Sequence, residues 1–323
     1  MSSTFGGFNE LITLPSEAQS RLHALVRELK FDWEISGDRL QGRFFYLKFS
    51  DRLPAQRDLV AFLYQYIIYY CLPYAEIQDA EAKYLLNNDL SVFQDLADKA
   101  RRLFVRAREQ ESISGEPSEL LLFALLELVI AAPQVVSKMG LKTSGMMHFH
   151  GVDGIHAKLD DDGETLILLW GEAKAHKGFS SALNDALDSI TNFHSVAGTG
   201  VPRERELQIV HDHFSLATND LAIRKKFFDY LDPYSNRTTE KIEAHACLLC
   251  FDFGIYETIA TGDKSKIEDE FKDRYERRVA TAKTLIENKV SGHPILEDLN
   301  LWFFLFPFKS IDDFRNEFNQ RLT

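Results

Sequence analysis

Cysteine is scarce in this sequence, with only Cys71, Cys247 and Cys250 among 323 residues. A secreted chain held by disulfides more often carries an even set of cysteines at framework spacings, so this class of protein is disfavoured. Cys247 and Cys250 have the spacing of a zinc or redox motif, but they lie in the strand-like run 246–253. Because an offset of three puts two strand residues on opposite faces, we expect buried thiols rather than a metal or redox pair.

Long hydrophobic runs are also absent. The longest apolar stretch, residues 120–132, is too short to span a bilayer and is interrupted by Glu127. The first residues carry neither the basic region nor the apolar core of a secretory signal. We therefore expect a cytoplasmic protein without a membrane anchor.

The sequence has few basic residues relative to acidic ones. Its 37 lysines and arginines and 49 acidic residues give a formal net charge of −12. The 45% hydrophobic and 27% charged content is ordinary for a globular protein and argues against disorder. A surface that repels phosphate as a whole must hold nucleic acid in a local basic groove or be brought to it by another subunit.

The length of 323 residues lies between one large domain and two ordinary ones, and we favour two. Residues 1–108 are expected to form a mixed, mostly helical α/β module, and residues 109–323 a second domain. Apolar periodicity in the module predicts a weak helix, a strand and two helices, at residues 21–29, 42–49, 59–72 and 91–108.

No catalytic pattern is visible in the N-terminal module. The helix at 59–72 carries four tyrosines, for which packing in a core or an interface is favoured over base stacking: Tyr64, Tyr66, Tyr69 and Tyr70. The basic side chains of the helix at 91–108 are typical of a solvated face, with an edge that tracks phosphates as the alternative.

The second domain is predicted to begin with an apolar helix, followed by three strands and another helix. The helix spans residues 117–138, the strands 141–150, 152–159 and 166–170, and the next helix 180–194. A strand at 207–214 and a helix at 220–230 are expected before the β-rich run 244–253, which is apolar enough for a central strand.

The densest pattern lies in two of these strands, which an Asp-rich turn at 160–163 can join as a hairpin. Asp153 stands at the mouth of the first strand, and Glu172 and Lys174 close the second. Residues i and i+2 of a strand point to one face, so Glu172 and Lys174 project together. If the strands pair, Asp153 approaches Glu172.

Two carboxylates beside a lysine indicate metal-assisted phosphodiester hydrolysis. Asp153 and Glu172 would supply hard oxygen ligands for Mg²⁺ or Mn²⁺, which keeps waters and takes up phosphate oxygens. Lys174 would orient or deprotonate the attacking water, or offset negative charge that develops on the phosphate.

Two further acids lie in the apolar helix at 117–138, and each needs a partner or a metal because an unpaired buried carboxylate is costly. Glu119 and Glu127 are both candidates for the metal site. A rival zinc site could use His148, His150, Asp153 and His156, but their spacing departs from that of the metallo-β-lactamase-like hydrolases. On a regular strand His156 would also face away from Asp153.

Asp153, Glu172 and Lys174 resemble the D…(D/E)-x-K core of the restriction-endonuclease-like, or PD-(D/E)xK, nucleases. The longer string 152–156, 171–174, 180–183 and 186–190 resembles the HamA family of Hachiman anti-phage defence nuclease subunits. The resemblance covers roughly residues 115–310 and is densest between 150 and 195.

The resemblance implies an α/β fold with a restriction-endonuclease-like core, and a Mg²⁺- or Mn²⁺-dependent DNA nuclease. It implies that the first core helix contributes a carboxylate, for which Glu119 is the better match, and that the carbonyl of Ala173 adds a metal ligand. It also implies a superfamily 2 helicase partner, HamB, for which the N-terminal module is the expected contact surface.

A non-catalytic subunit that only binds nucleic acid or a partner enzyme is the competing class. Degenerate members of this nuclease superfamily usually lose the lysine or an acid, whereas all three residues are present here. The residues themselves leave open DNA or RNA as substrate, single or double strands, and nicking or double-strand cleavage.

Overall fold

The structure is a computed structural model that describes residues 11–33, 39–110, 116–137, 139, 152–160, 165–195, 202–213, 225, 227 and 241–322. Its centre is a mixed, seven-stranded sheet with the strand order β1-β2-β9-β8-β7-β6-β5, and β3 and β4 form a separate ribbon. The strands are β1 (Val26–Leu29), β2 (Leu40–Leu47), β3 (Phe49–Ser50), β4 (Leu53–Pro54), β5 (Gln134–Val136), β6 (Gly154–Leu159), β7 (Leu166–His176), β8 (Lys241–Asp252) and β9 (Asn300–Phe308).

Helices cover both faces of this sheet. They are α1 (Ser16–Leu25), α2 (Gln56–Gln65), α3 (Ile67–Cys71), α4 (Tyr74–Asn87), α5 (Ser91–Gln110), α6 (Glu116–Leu128), α7 (Phe179–His194), α8 (Pro202–His213), α9 (Ile255–Ile259), α10 (Ile267–Val290) and α11 (Ile311–Leu322). Among the described helices, none has both the length and the hydropathy needed to cross a membrane.

The strands β7, β8 and β9 run parallel in the middle of the sheet and are buried on both faces. Such strands read as continuous apolar runs, which is why β8 and β9 are visible in the sequence. Cys247 packs with α7 and α10, whereas Cys250 packs on the other face with α6 and α11. This confirms that the two thiols are buried on opposite faces and do not form a site together.

Helix α6, strands β6 and β7, helix α7 and the central strand β8 confirm the elements expected at 117–138, 152–159, 166–170, 180–194 and 244–253. Strand β5 was not expected, because it lies within the segment predicted as the end of the first helix. The helix, however, ends at Leu128 and not near residue 138. Ala131 has a left-handed φ of 56°, its neighbour Ala132 donates its N–H to the Leu126 carbonyl, and Pro133 follows. This C-terminal cap stops the helix, and the chain turns into β5. The strand expected at 141–150 lies outside the described residues.

Other boundaries differ from the sequence expectations for similar local reasons. The weak helix at 21–29 ends at Leu25, and the rest of it is β1, which pairs with β2. Helix 59–72 is divided between α2 and α3 at Tyr66. The strand expected at 207–214 is wrong, because Pro202 begins helix α8 through His213. Helix α7 begins at Phe179, one residue before the start expected at residue 180. The expected helix at 220–230 falls almost entirely outside the described residues.

The N-terminal residues are part of the same sheet as the rest of the chain. Strand β2 pairs in parallel with β9, near the C-terminus, and β1 pairs with β2. One hydrophobic cluster contains residues of α2, α3 and α5 together with residues of α6 and α11. The sheet and the core therefore continue across residue 108, and a functional division at that residue stays a prediction.

Candidate active site

Asp153 is fixed beside β7 by two hydrogen bonds to the backbone. Its N–H donates to the Gly171 carbonyl at 2.8 Å, and the Ala173 N–H donates to its Oδ2 at 2.8 Å. Strands β6 and β7 are antiparallel, with Gly154 opposite Gly171. One more step of this register places Asp153 opposite Glu172, as the strand pattern predicted.

Gly171 lies close to the β6 backbone and to α6. A Cβ on Gly171 would lie 3.2 Å from the Gly154 carbonyl oxygen and 3.2 Å from the Leu122 side chain of α6. Gly171 therefore faces α6, and strand alternation turns Glu172 and Lys174 toward the face that α7 covers. A side chain at position 171 would therefore crowd both the β6 backbone and α6 at the step next to Asp153.

Glu172 and Lys174 form an ion pair on this face, with 2.7 Å between Lys174 Nζ and Glu172 Oε1. Glu172 is buried, and the Lys174 side chain is 27% exposed. Burial lowers the pKa of Lys174, but Glu172, Asp153 and Glu119 outweigh it and hold that pKa above its ordinary value. Lys174 is therefore a cation at neutral pH, which suits it to stabilise negative charge rather than to accept a proton.

Glu119, in the first turns of α6, belongs to the same charged neighbourhood. Its carboxylate is buried and accepts a hydrogen bond from the Tyr70 hydroxyl, with 2.7 Å between Tyr70 Oη and Glu119 Oε2. Burial, followed by Glu119 and Asp153, raises the pKa of Tyr70 far above its ordinary value. The acid therefore approaches the end of β7 from α6, held by a tyrosine of α3.

Glu127 has a different role. It is fully buried and accepts hydrogen bonds from the Thr13 N–H at 2.8 Å, the Thr13 hydroxyl at 2.9 Å and the Gln134 N–H at 2.8 Å. Burial raises the pKa of Glu127 to about 7, against these hydrogen bonds. Its carboxylate joins the chain near the N-terminus to the start of β5, whereas Glu119 is the acid of α6 that acts on the pKa of Lys174.

The donor set suits a hard divalent cation. Within the described ranges, no three His, Cys, Asp or Glu side chains converge closely enough to form a metal cage by themselves. Mg²⁺ ordinarily needs only one or two carboxylates, together with water and substrate phosphate. Asp153 and Glu172 meet that need, because a carboxylate that accepts one N–H bond keeps further acceptor positions. The carbonyl of Ala173 as a ligand stays a prediction.

His156 takes no part in a site with Asp153. It is buried in β6, its Nδ1 lies 2.8 Å from the Ala132 carbonyl oxygen, and its ring packs on Phe123. Burial lowers the pKa of His156 to about 4, so the imidazole is neutral. The rival zinc set thus loses one member, and His148 and His150 lie outside the described residues.

Two features of this region were not visible in the sequence. Tyr70 looked like one of four packing tyrosines, and only the fold shows that its hydroxyl meets Glu119. The second feature is a pair formed by the half-buried His194 and the buried His245, whose Nε2 atoms are 2.8 Å apart beside the ion pair of Arg203 and Glu243. Residues so distant in sequence give no local signal.

Comparison with known proteins identifies the family. The model of the HamA family matches residues 23–322, which is nearly the whole chain. A search among curated proteins found no match. The chain therefore belongs to the HamA family, and this membership makes it a component of a Hachiman anti-phage defence system.

Proposed function

We propose that this HamA-family chain is a Mg²⁺- or Mn²⁺-dependent DNA nuclease that hydrolyses phosphodiester bonds. The observation that carries the proposal is the meeting of Asp153, Glu172 and Lys174 at the paired ends of β6 and β7. The Ala173 N–H holds Asp153, and Lys174 contacts Glu172 at 2.7 Å. Acid, acid and lysine thus occupy one end of a hairpin, in the arrangement that metal-assisted hydrolysis requires.

The surrounding elements support a restriction-endonuclease-like core. Helix α6 precedes the antiparallel strands β5, β6 and β7, helices α7 and α8 follow, and the later strand β8 runs parallel to β7. This is the order that the resemblance implied, and it puts the candidate acids on the second and third strands. The first core helix carries Glu119, as expected for an additional carboxylate.

Each residue has a distinct role in the proposed reaction. Asp153 and Glu172 would hold the cation, and Glu119 would add negative charge to the same neighbourhood. A bound divalent cation would polarise the phosphate and lower the pKa of its bound water. Lys174, kept protonated by the acids around it, would stabilise the charge that develops on the phosphate oxygens.

DNA binding by the free chain should be weak at physiological salt, because non-specific affinity depends mainly on neutralised phosphates. The net charge is −12, and the basic helix α5 offers little compensation. Lys99 pairs with Glu76, and the Arg101 guanidinium reaches the Leu322 carbonyl at 3.5 Å. We therefore propose that a partner, the superfamily 2 helicase HamB, delivers the nuclease to DNA and keeps it silent beforehand.

The corner between α4 and α5 is the surface that best supports such a partner. Four large apolar side chains are exposed there, by 81%, 82%, 69% and 36%: Leu85, Leu86, Leu90 and Phe93. Exposed apolar groups clustered in this way mark interaction sites. Residues 74–98 carry six acidic residues and one lysine, so this corner suits a partner surface with basic residues around an apolar pocket.

Point variants test this surface better than removal of the first 108 residues, which would take β1 and β2 out of the sheet. Leu85→Ser with Leu86→Ser should abolish co-purification with the helicase. Leu53→Ser, at another exposed leucine, is the matched control. Unchanged co-purification by the double variant would remove the corner from the interface, and loss of a self-associated species would assign it to a second copy of this chain.

The nuclease activity itself is tested by incubating purified protein with supercoiled plasmid in Mg²⁺, in Mn²⁺ and in excess chelator. We expect relaxed or linear products only with a divalent cation, and the ratio of the two products distinguishes nicking from double-strand cleavage. A parallel incubation with RNA tests the choice of substrate. No cleavage of any nucleic acid, with or without the helicase, would favour the competing function of a non-catalytic subunit.

A further inference from the structure

Tyr70 is a polar residue of the N-terminal segment that contacts a residue of the candidate site. It lies in α3, is 4% exposed, and its hydroxyl donates to Glu119 Oε2 at 2.7 Å. Its ring packs between Phe104 of α5 and Phe123 of α6, at centroid distances of 6.3 and 5.6 Å. The hydroxyl is therefore held in place by helices on two sides.

The contact between Tyr70 and Glu119 joins a hydroxyl donor to a carboxylate acceptor. A hydroxyl that donates to a carboxylate forms a short, strong hydrogen bond and favours the ionised acid. The Tyr70 hydroxyl is the donor and Glu119 Oε2 the acceptor, and both side chains are buried. The contact thus fixes the orientation of the Glu119 carboxylate within the electrostatic reach of Lys174.

We propose that Tyr70 is a positioning residue of the metal site, whose hydroxyl orients the Glu119 carboxylate toward the cluster of Asp153, Glu172 and Lys174. The inference rests on the proposed nuclease function and extends it, because α3 belongs to the N-terminal residues. The segment expected to contact a partner would then also complete the site. Packing of Tyr70 on α5, which begins at the exposed α4–α5 corner, gives that contact a physical route to Glu119.

The test compares Tyr70→Phe with Tyr66→Phe by calorimetric titration of the full chain with Mg²⁺ and with Mn²⁺. Tyr66 is a fair control because it is 6% exposed and its hydroxyl accepts a hydrogen bond from Arg21, away from Glu119. Loss of a partner that orients a ligand typically costs roughly 10- to 100-fold in metal affinity. We expect a loss of about 10-fold for Tyr70→Phe and none for Tyr66→Phe, with thermal unfolding confirming that both variants fold.

A double-mutant cycle separates positioning from packing. In a Glu119→Gln background, Tyr70→Phe should have no further effect on metal affinity, because the residue it positions is already changed. Equal losses in both backgrounds would overturn the inference, and so would unchanged affinity in Tyr70→Phe while the wild type binds metal and cleaves DNA. If the wild type neither binds metal nor cleaves, the proposed function itself fails, and the role of Tyr70 fails with it.

Discussion

Substitution of Glu127 should destabilise the fold without changing the proposed metal site. Its carboxylate is fully buried and accepts three hydrogen bonds, from the Thr13 N–H, the Thr13 hydroxyl and the Gln134 N–H. Glu127→Ala leaves these donors without an acceptor, at a cost of about 1 to 3 kcal/mol for each buried group. Since Thr13 is only half-buried, we expect a total loss of about 3 to 5 kcal/mol in the free energy of unfolding.

The pH dependence gives a sharper version of this prediction. Burial raises the pKa of Glu127 from 4.5 to about 7. Folding therefore favours the protonated acid, so its contribution to stability is fully present below pH 4.5 and is lost as the pH rises through 7. A shift of this size corresponds to about 3 kcal/mol in the free energy of unfolding.

The assay is urea unfolding of the wild type and Glu127→Gln at several values of pH. The variant cannot ionise at this position, so the difference between the two proteins isolates the titration of Glu127 from that of other carboxylates. We expect the advantage of the wild type to fall by roughly 2 to 3 kcal/mol between about pH 5 and pH 8. A difference that is constant over this range would refute the assignment of a raised pKa to Glu127.

Three further predictions concern Asp153, Gly171 and the two buried cysteines of β8. Asp153→Ala should weaken Mg²⁺ binding in calorimetry, and cleavage as a consequence, with partial rescue at high Mn²⁺; unchanged affinity would remove Asp153 from the site. Gly171→Ala should cost about 1 to 3 kcal/mol in urea unfolding, because its Cβ would crowd backbone and α6, whereas Gly254→Ala meets open space and should cost less. Cys247 and Cys250 should resist thiol reagents in the native state, since burial raises the pKa of both thiols, and the purified protein should carry no zinc at this pair.

Much of the sheet and part of the site could be predicted because their signals are local. The run that became β8 is apolar without interruption from residue 246 to residue 251, as expected for a strand buried on both faces. The alternation around Glu172 and Lys174 put them on one face, and the turn expected between the strands suggested the pairing that brings Asp153 near Glu172. Serine is a favoured residue just before a helix, and the Ser310 hydroxyl accepts the Asp313 N–H at 3.1 Å at the start of α11.

The rest depends on contacts between residues far apart in the chain. Nothing near Tyr70 distinguishes it from its neighbouring tyrosines, because its role comes from Glu119 on another helix. The early end of α6 combines a left-handed Ala131, which no sequence pattern indicates, with Pro133, a helix-breaking residue that the expected helix at 117–138 did not take into account. Strand β2 reaches the sheet through β9, which follows it by more than 250 residues. Such pairing cannot be read from local periodicity.

The most direct measurement of the central claim is the rate of plasmid cleavage by Lys174→Ala beside the matched control Lys177→Ala. Lys177 lies just beyond β7, is exposed and pairs with Asp312 on the surface. Loss of one group that stabilises developing charge costs roughly 10²- to 10³-fold, so we expect a decrease of this size for Lys174→Ala, with both variants folded. Lys177→Ala should cleave like the wild type. Cleavage by Lys174→Ala at the wild-type rate would contradict the assignment of the active site to the ends of β6 and β7.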